Sequence, residues 1–259
     1  MPYTRRMGNE TRDEERSPGV GSAGVETLFP PGVVAVEWRG GPDPEALSEA
    51  EIESLGRAAP QRRREFAAGR QCARQALARC GVAGAVIGRG ADRRPLWPEP
   101  FVGSIAHTAD YAAAAVAHRR DVASVGIDVE RRDAVGEHLW RRIAVPAELE
   151  WIEGLPAAER TAAATLLFSA KEAIYKCVYP WLKIRLGFQD VAIEARFAGQ
   201  GTGTLAVRRC GAAPPLPAFD ARFRWEGRYV LTGVSVPADA APRECDAREV
   251  ADEFVQGAG

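Results

Sequence analysis

Histidine is scarce in this chain: His107, His118 and His138 are the only three among 259 residues, and they are far apart. A zinc site built on clustered imidazoles is therefore not available. The five cysteines, Cys72, Cys80, Cys177, Cys210 and Cys245, include no Cys-x-x-Cys pair, and an odd number closes no disulfide framework. Reduced thiols in a cytoplasmic protein are the expectation. No apolar run is long enough to span a bilayer, and Arg5-Arg6 are followed by polar and acidic residues rather than the apolar core of a secretion signal. Neither a membrane nor an export route is expected. Charge of one sign is missing too: 34 Lys and Arg against 35 Asp and Glu leave a formal net charge of −1, which points away from general nucleic-acid binding. The balance is uneven along the chain. Gln61 to Arg94 is rich in arginine, whereas Glu244, Asp246, Glu249, Asp252 and Glu253 crowd the C-terminus.

What is present is a pair of charged stretches. In Val125-Gly-Ile-Asp-Val-Glu130 the β-branched residues alternate with Gly126, Asp128 and Glu130, the period of a strand with one face on the core. Asp128 and Glu130 then point the same way, roughly 7 Å apart, and repel by about 2 kcal/mol at an effective dielectric near 20. A cation is expected between them. Phe168-Ser-Ala-Lys-Glu-Ala-Ile-Tyr-Lys176 reads as a helix, on which Glu172 and Lys176 share a face. The bland alternative for Glu172 is a local pair with Lys176, four residues on.

The flanking sequence, 46% hydrophobic overall, suits two packed halves. Residues 1–24 read as a flexible tail with little to bury, 25–122 as an N-terminal half, 123–237 as a C-terminal half and 238–259 as an acidic tail. Val33 to Trp38 is expected as a strand, followed by a Gly-Pro turn. Ser48 with Glu51 forms a capping box for a short helix. Pro60 opens a longer helix to about Cys80, with Gly81 at its end. Arg70 falls on the stripe of Phe66, Ala73 and Leu77 and needs a partner, either a structural one or a bound anion. Phe101 to Thr108 and Tyr111 to Ala117 form a hairpin, with His107 at the end of its first strand. A helix is expected from about Thr161 to Tyr179, and beyond Pro180 strands at 188–197, 204–209, 219–225 and 229–236. The halves repeat the order of long helix and antiparallel strands, an α+β duplication with the carboxylate strand at the junction.

All-oxygen ligands from two strand carboxylates and one helix carboxylate suit magnesium, which commonly bridges carboxylates to substrate phosphates. The residues alone thus indicate a magnesium-dependent enzyme acting on a phosphate or pyrophosphate ester. One such enzyme would be a hydrolase of nucleotide pyrophosphates. A binding module without catalysis is a further alternative.

The pairing of GIDVE with FSAKEAIYK, preceded by RRREFAAGRQCARQAL, RRPLWP and VGSIAHT, resembles the surfactin-synthetase-type 4'-phosphopantetheinyl transferases, in particular the branch with the enterobactin enzyme and its actinobacterial relatives. The resemblance runs from about Arg62 to Val236. It implies a pseudo-dimer of two α+β halves, each a long helix on a small antiparallel sheet, with the active site between them. It implies transfer of 4'-phosphopantetheine from coenzyme A to a serine of an acyl or peptidyl carrier protein of fatty acid, polyketide or nonribosomal peptide synthesis, by a monomer. On this resemblance Asp128, Glu130 and Glu172 hold magnesium, or manganese in its place, and Lys176 neutralises a phosphate oxygen. Arg62, Arg70, Arg94 and His107 contact the phosphates and nucleotide of coenzyme A. Glu172 is the preferred general base, with Asp128 or water as rivals. Arg57, Arg63 or Arg141 would supply a basic rim for an acidic carrier. Ala106, Phe168 and Val129 depart from residues found in relatives, and Val129, having no ligating atom, leaves Glu172 as the third carboxylate.

Overall fold

A computed structural model describes residues 24–40, 47–199 and 201–240. Apart from Gly24, the expected N-terminal tail lies outside the described residues, as do the Gly41-Pro42 turn and the C-terminal tail beyond residue 240.

The first half comprises β1 (Val33–Arg39), α1 (Glu49–Leu55), α2 (Pro60–Arg79), β2 (Phe101–His107) and β3 (Tyr111–His118). The second comprises β4 (Val122–Arg131), α3 (Glu137–Ile143), α4 (Pro146–Gly154), α5 (Ala157–Leu182), β5 (Val191–Gly199), β6 (Thr202–Arg209), β7 (Asp220–Glu226) and β8 (Tyr229–Pro237). Two antiparallel sheets result, ordered β1-β3-β2 and β4-β8-β7-β6-β5. Each half runs strand, short helix or helices, long helix, antiparallel strands, so the fold is the expected α+β pseudo-dimer.

Local chemistry sets the elements of the first half. The capping box at α1 closes in both directions: Ser48 Oγ accepts the Glu51 N–H, and the Glu51 carboxylate accepts the Ser48 N–H at 3.0 Å. The same carboxylate is buried and receives Arg74 from α2 at 3.0 Å, which fastens α1 to its neighbour. α2 begins at Pro60, whose missing N–H costs nothing at a helix start, and stops before Gly81 at φ +89°.

β3 explains how the halves pack. Its run Tyr-Ala-Ala-Ala-Ala-Val-Ala is buried on both faces. Ala112, Ala114 and Val116 face α2 together with Val36, Ala73 and Leu77. Ala113, Ala115 and Ala117 face Val125, Ile127 and Val129 of β4. The edge strands β2 and β4 also meet, where the Ile127 N–H donates to Ser104 Oγ at 3.1 Å. Arg39 adds an ion pair to Glu226 at 3.1 Å, and Arg228 pairs with Asp110.

Three expectations change here. The alternation in β4 predicts a single core face, yet its other face is covered by α5: an added Cβ at Gly126 would lie 1.9 Å from the Ala173 carbonyl oxygen, and Ser124 Oγ donates to the Cys177 carbonyl at 2.6 Å. α5 also runs through Pro180 to Leu182, because in its last turn a proline costs one hydrogen bond rather than breaking the helix core. The segment expected as a strand from Phe188 begins with a single 3₁₀ turn, Phe188–Asp190, and only then becomes β5. Asp190 tightens that turn by accepting the Gly187 N–H at 2.7 Å.

Candidate active site

Between the halves lies a cleft of about 440 Å³. Its walls include Arg94, Trp97, Ser104, Ser124, Lys176 and Tyr179. β2 and the loop before it supply one side, and α5 with β4 the other.

The carboxylates sit where the two registers place them. Asp128 points from β4 toward α5 and is only 4% exposed. Its Oδ1 accepts Lys176 Nζ at 2.7 Å, while its buried Oδ2 has no partner. Lys176 thus reaches across to the strand, and the hydrogen bond it makes is to Asp128 rather than to Glu172 one turn away. Burial, then the neighbouring charge of Asp128, pushes the Glu130 carboxyl up to about 7, with Lys176 opposing and Glu172 adding to the rise. Glu172 is half-buried, and burial raises its pKa against the pull of Lys176. Three carboxylates therefore share one field with a single ammonium.

That excess of negative charge suits a cation. Among the described residues no three carboxylate, imidazole or thiolate side chains are gathered closely enough to grip an ion unaided. Magnesium does not demand such a cage, since it keeps several waters and takes one or two carboxylates beside substrate phosphates. The unpartnered Oδ2 of Asp128 is an acceptor of the required kind, buried where its lone pairs meet neither water nor a donor. The oxygen donor set fits a hard divalent ion.

On the first half, outside the lining of that cleft, Arg62 Nη1 lies 2.8 Å from His107 Nε2. Glu65 Oε2 is 3.3 Å from that guanidinium and 3.7 Å from His107 Nδ1. Burial holds His107 down at about 4, helped by the charges of Arg62 and Lys176. The imidazole is therefore neutral at neutral pH. Because its pKa lies below the unfolded value of 6.5, its contribution to stability is complete above that value and is lost as pH falls toward 4. The loss should reach about 3 kcal/mol at the lower end. Denaturant unfolding of native chain and His107→Gln, above and below this window, should show a pH-dependent loss in the native chain that the variant lacks.

Arg94 lines the cleft, with Nε 3.0 Å from Asp92 Oδ2 and Nη1 reaching the Pro180 carbonyl of α5 at 3.5 Å. Arg70 is placed differently from the others. It is buried, lies 4.2 Å over the Phe66 ring, and donates Nε to the Ile87 carbonyl at 2.8 Å and Nη2 to Gly88 at 3.3 Å. The partner that its apolar stripe demanded is backbone. Burial without a carboxylate bond lowers its pKa to about 10.

Sequence reasoning missed Glu65, Ser104 and the stacking of Tyr175 on Tyr179, whose rings are 5.4 Å apart beside the cleft. The spacing held a signal for two of these: Glu65 follows Arg62 by one helical turn, and the tyrosines are four apart. Ser104 had none, because a lone serine in a strand looks like any other.

Comparison with known proteins matches residues 50–117 to the 4'-phosphopantetheinyl transferase N-terminal domain and 124–232 to the 4'-phosphopantetheinyl transferase superfamily. The chain is 34% identical over 221 residues to 4'-phosphopantetheinyl transferase Npt of Nocardia iowensis, covering 82% of this chain and 99% of that protein. It is 38% identical over 127 residues to enterobactin synthase component D of Salmonella austin, covering 48% and 50%. A crystal structure of a holo-(acyl-carrier-protein) synthase from Bacillus anthracis str. Ames, in complex with CoA (3',5'-ADP), aligns at 20% identity and a TM-score of 0.35, over 45% of this chain and 97% of the other. With both halves matched, and one transferase aligned over nearly its whole length, the chain belongs to the 4'-phosphopantetheinyl transferase superfamily, enzymes that move phosphopantetheine onto carrier proteins.

Proposed function

We propose that this transferase holds coenzyme A in the cleft between its halves and passes the 4'-phosphopantetheine group to a serine of acyl or peptidyl carrier proteins, with magnesium, or manganese in its place, at Asp128, Glu130 and Glu172. The observation that supports this most is the crowding of those three carboxylates against a single ammonium, Lys176, the member of the group that lines the cleft. A divalent cation bound there supplies positive charge to the pyrophosphate oxygens and makes the phosphorus more electrophilic.

The chain's own residues do the remaining work. Lys176 and Asp128 hold each other at the point where phosphate charge accumulates. Arg62 and His107, with Arg94 on the loop before β2, receive the remaining phosphates of coenzyme A; Arg70 supports the Ile87-Gly88 backbone from beneath. The serine oxygen attacks the β-phosphorus, the bond to the bridging oxygen breaks, and adenosine 3',5'-bisphosphate leaves. Glu172 takes the serine proton. Its raised pKa brings it nearer to the working pH of a general base than an ordinary carboxylate. One chain supplies both walls of the cleft, which supports a monomer. The free thiols of Cys72, Cys80, Cys177 and Cys210 support a cytoplasmic location. Among the described residues no helix is long and apolar enough to cross a membrane.

Intact-mass spectrometry of apo carrier proteins incubated with the enzyme, coenzyme A and magnesium tests this reading. A mass gain of one phosphopantetheine on the carrier is expected, and chelation of the metal should remove it. Hydrolysis of coenzyme A with no carrier modified would indicate a pyrophosphate hydrolase, and binding without either change an idle module.

A further inference from the structure

A second charged cluster lies directly behind Glu172 and takes no part in the chemistry above. Lys171 is 3% exposed and Glu148, at the start of α4, is 4% exposed. The Lys171 ammonium donates three hydrogen bonds: to the Ile143 carbonyl at the end of α3 at 2.7 Å, to Glu148 Oε2 at 2.6 Å and to the Phe188 carbonyl at 2.8 Å. Glu148 in turn accepts the Val145 N–H at 2.8 Å and the Ile193 N–H of β5 at 2.6 Å. Gln189 completes the knot by donating to the Ala144 carbonyl at 3.0 Å. Every ammonium proton has an acceptor, so the pair is fully compensated.

A buried ion pair is a weak source of stability, since well-packed apolar residues usually do as well or better. What this one supplies is a fixed arrangement. On its opposite side α5 is held to the sheet by Ser124 on the Cys177 carbonyl, by Thr232 on the Ser169 carbonyl and by the close contact at Gly126. Those fasteners set how near α5 lies to β4. The Lys171 knot holds α5 from the other side, one residue before Glu172. It also anchors Phe188, which with Leu186 and Val191 walls a notch of about 210 Å³ beside the Glu172 side chain.

We infer that Lys171 and Glu148 are positioning residues that fix the rotation of α5, so that the Glu172 carboxylate is aimed at the shared field of Asp128 and Lys176. This rests on the transferase reading of the site. Neither residue lines the 440 Å³ cleft, and every proton of the Lys171 ammonium is already engaged by the protein.

The test uses the full chain with the double substitution Lys171→Met and Glu148→Gln, which removes both buried charges together. Manganese binding is measured by electron paramagnetic resonance of the free ion, without carrier, and steady-state kinetics give kcat and the coenzyme A KM. The expected result is a 10- to 100-fold rise in the manganese Kd and a fall in kcat of roughly that size, as for other groups that orient a metal ligand, with the coenzyme A KM unchanged when manganese is saturating. If the double variant does not fold by circular dichroism, Lys171→Arg keeps the charge without the three-way geometry and should show the same split. A folded variant with native manganese affinity and native kcat overturns the inference and leaves the transferase reading standing. A native chain that modifies no carrier overturns that reading, and the inference with it.

Discussion

Asp128→Ala should lower kcat/KM for carrier modification by about three orders of magnitude, roughly 4 kcal/mol of transition-state stabilisation. Asp128 does two things at once. Its Oδ1 holds Lys176, and its Oδ2 is a buried acceptor with no donor. Truncation removes that acceptor and frees the ammonium to swing toward Glu172. It also removes the charge that helps raise Glu130 and Glu172, so both carboxyls should titrate lower than in the native chain. Steady-state kinetics over a range of magnesium concentrations would check this. A loss of less than tenfold would mean that Asp128 lies outside the reacting centre. Charge crowding is relieved as a bond is lost, so thermal stability should move by only a few degrees in either direction.

Gly126→Ala should be the more damaging change for folding, costing 3 kcal/mol or somewhat more, since overpacking of a well-packed core costs ~1–3 kcal/mol when neighbours can move. Here they cannot move cheaply. The new Cβ would meet the Ala173 carbonyl oxygen at 1.9 Å and the Cys177 nitrogen at 2.9 Å, both backbone atoms of α5. The helix would be forced off β4 over the stretch that presents Glu172 and Lys176, so activity should fall with stability. Gly154→Ala is the matched control, because nothing lies within 4 Å of its would-be Cβ. Thermal denaturation of the two variants should separate them clearly, and equal melting temperatures would contradict the packing described for β4.

Much of this site could be read from the chain. Alternation in Val125 to Glu130 put Asp128 and Glu130 on one side of a strand, and the four-residue spacing put Glu172 and Lys176 on one side of a helix. Periodicity reports which residues share a face, though not what covers that face. The covering of β4 by α5 was signalled only by Gly126, a missing side chain where one was expected. Arg70 shows the same limit: its stripe predicted burial and a partner, but a backbone carbonyl from a loop 17 residues on leaves no mark in composition. Pro180 misled because a proline weighs the same in a sequence wherever it falls, whereas in a helix its cost depends on how many turns remain. Lys171 and Glu148 are 23 residues apart, and nothing local joins them.

The alanines of β3 supply no atom to the reaction, yet they act as a gauge for the enzyme. A methyl group on each face is the smallest spacer that still excludes water, so Ala113, Ala115 and Ala117 bring the second sheet as near to the first as side chains allow. The width across which Arg62 and His107 face Lys176 is thus written into a strand with no reactive group. A valine in that row would act as a shim, widening the gap at a distance from every residue that handles phosphate.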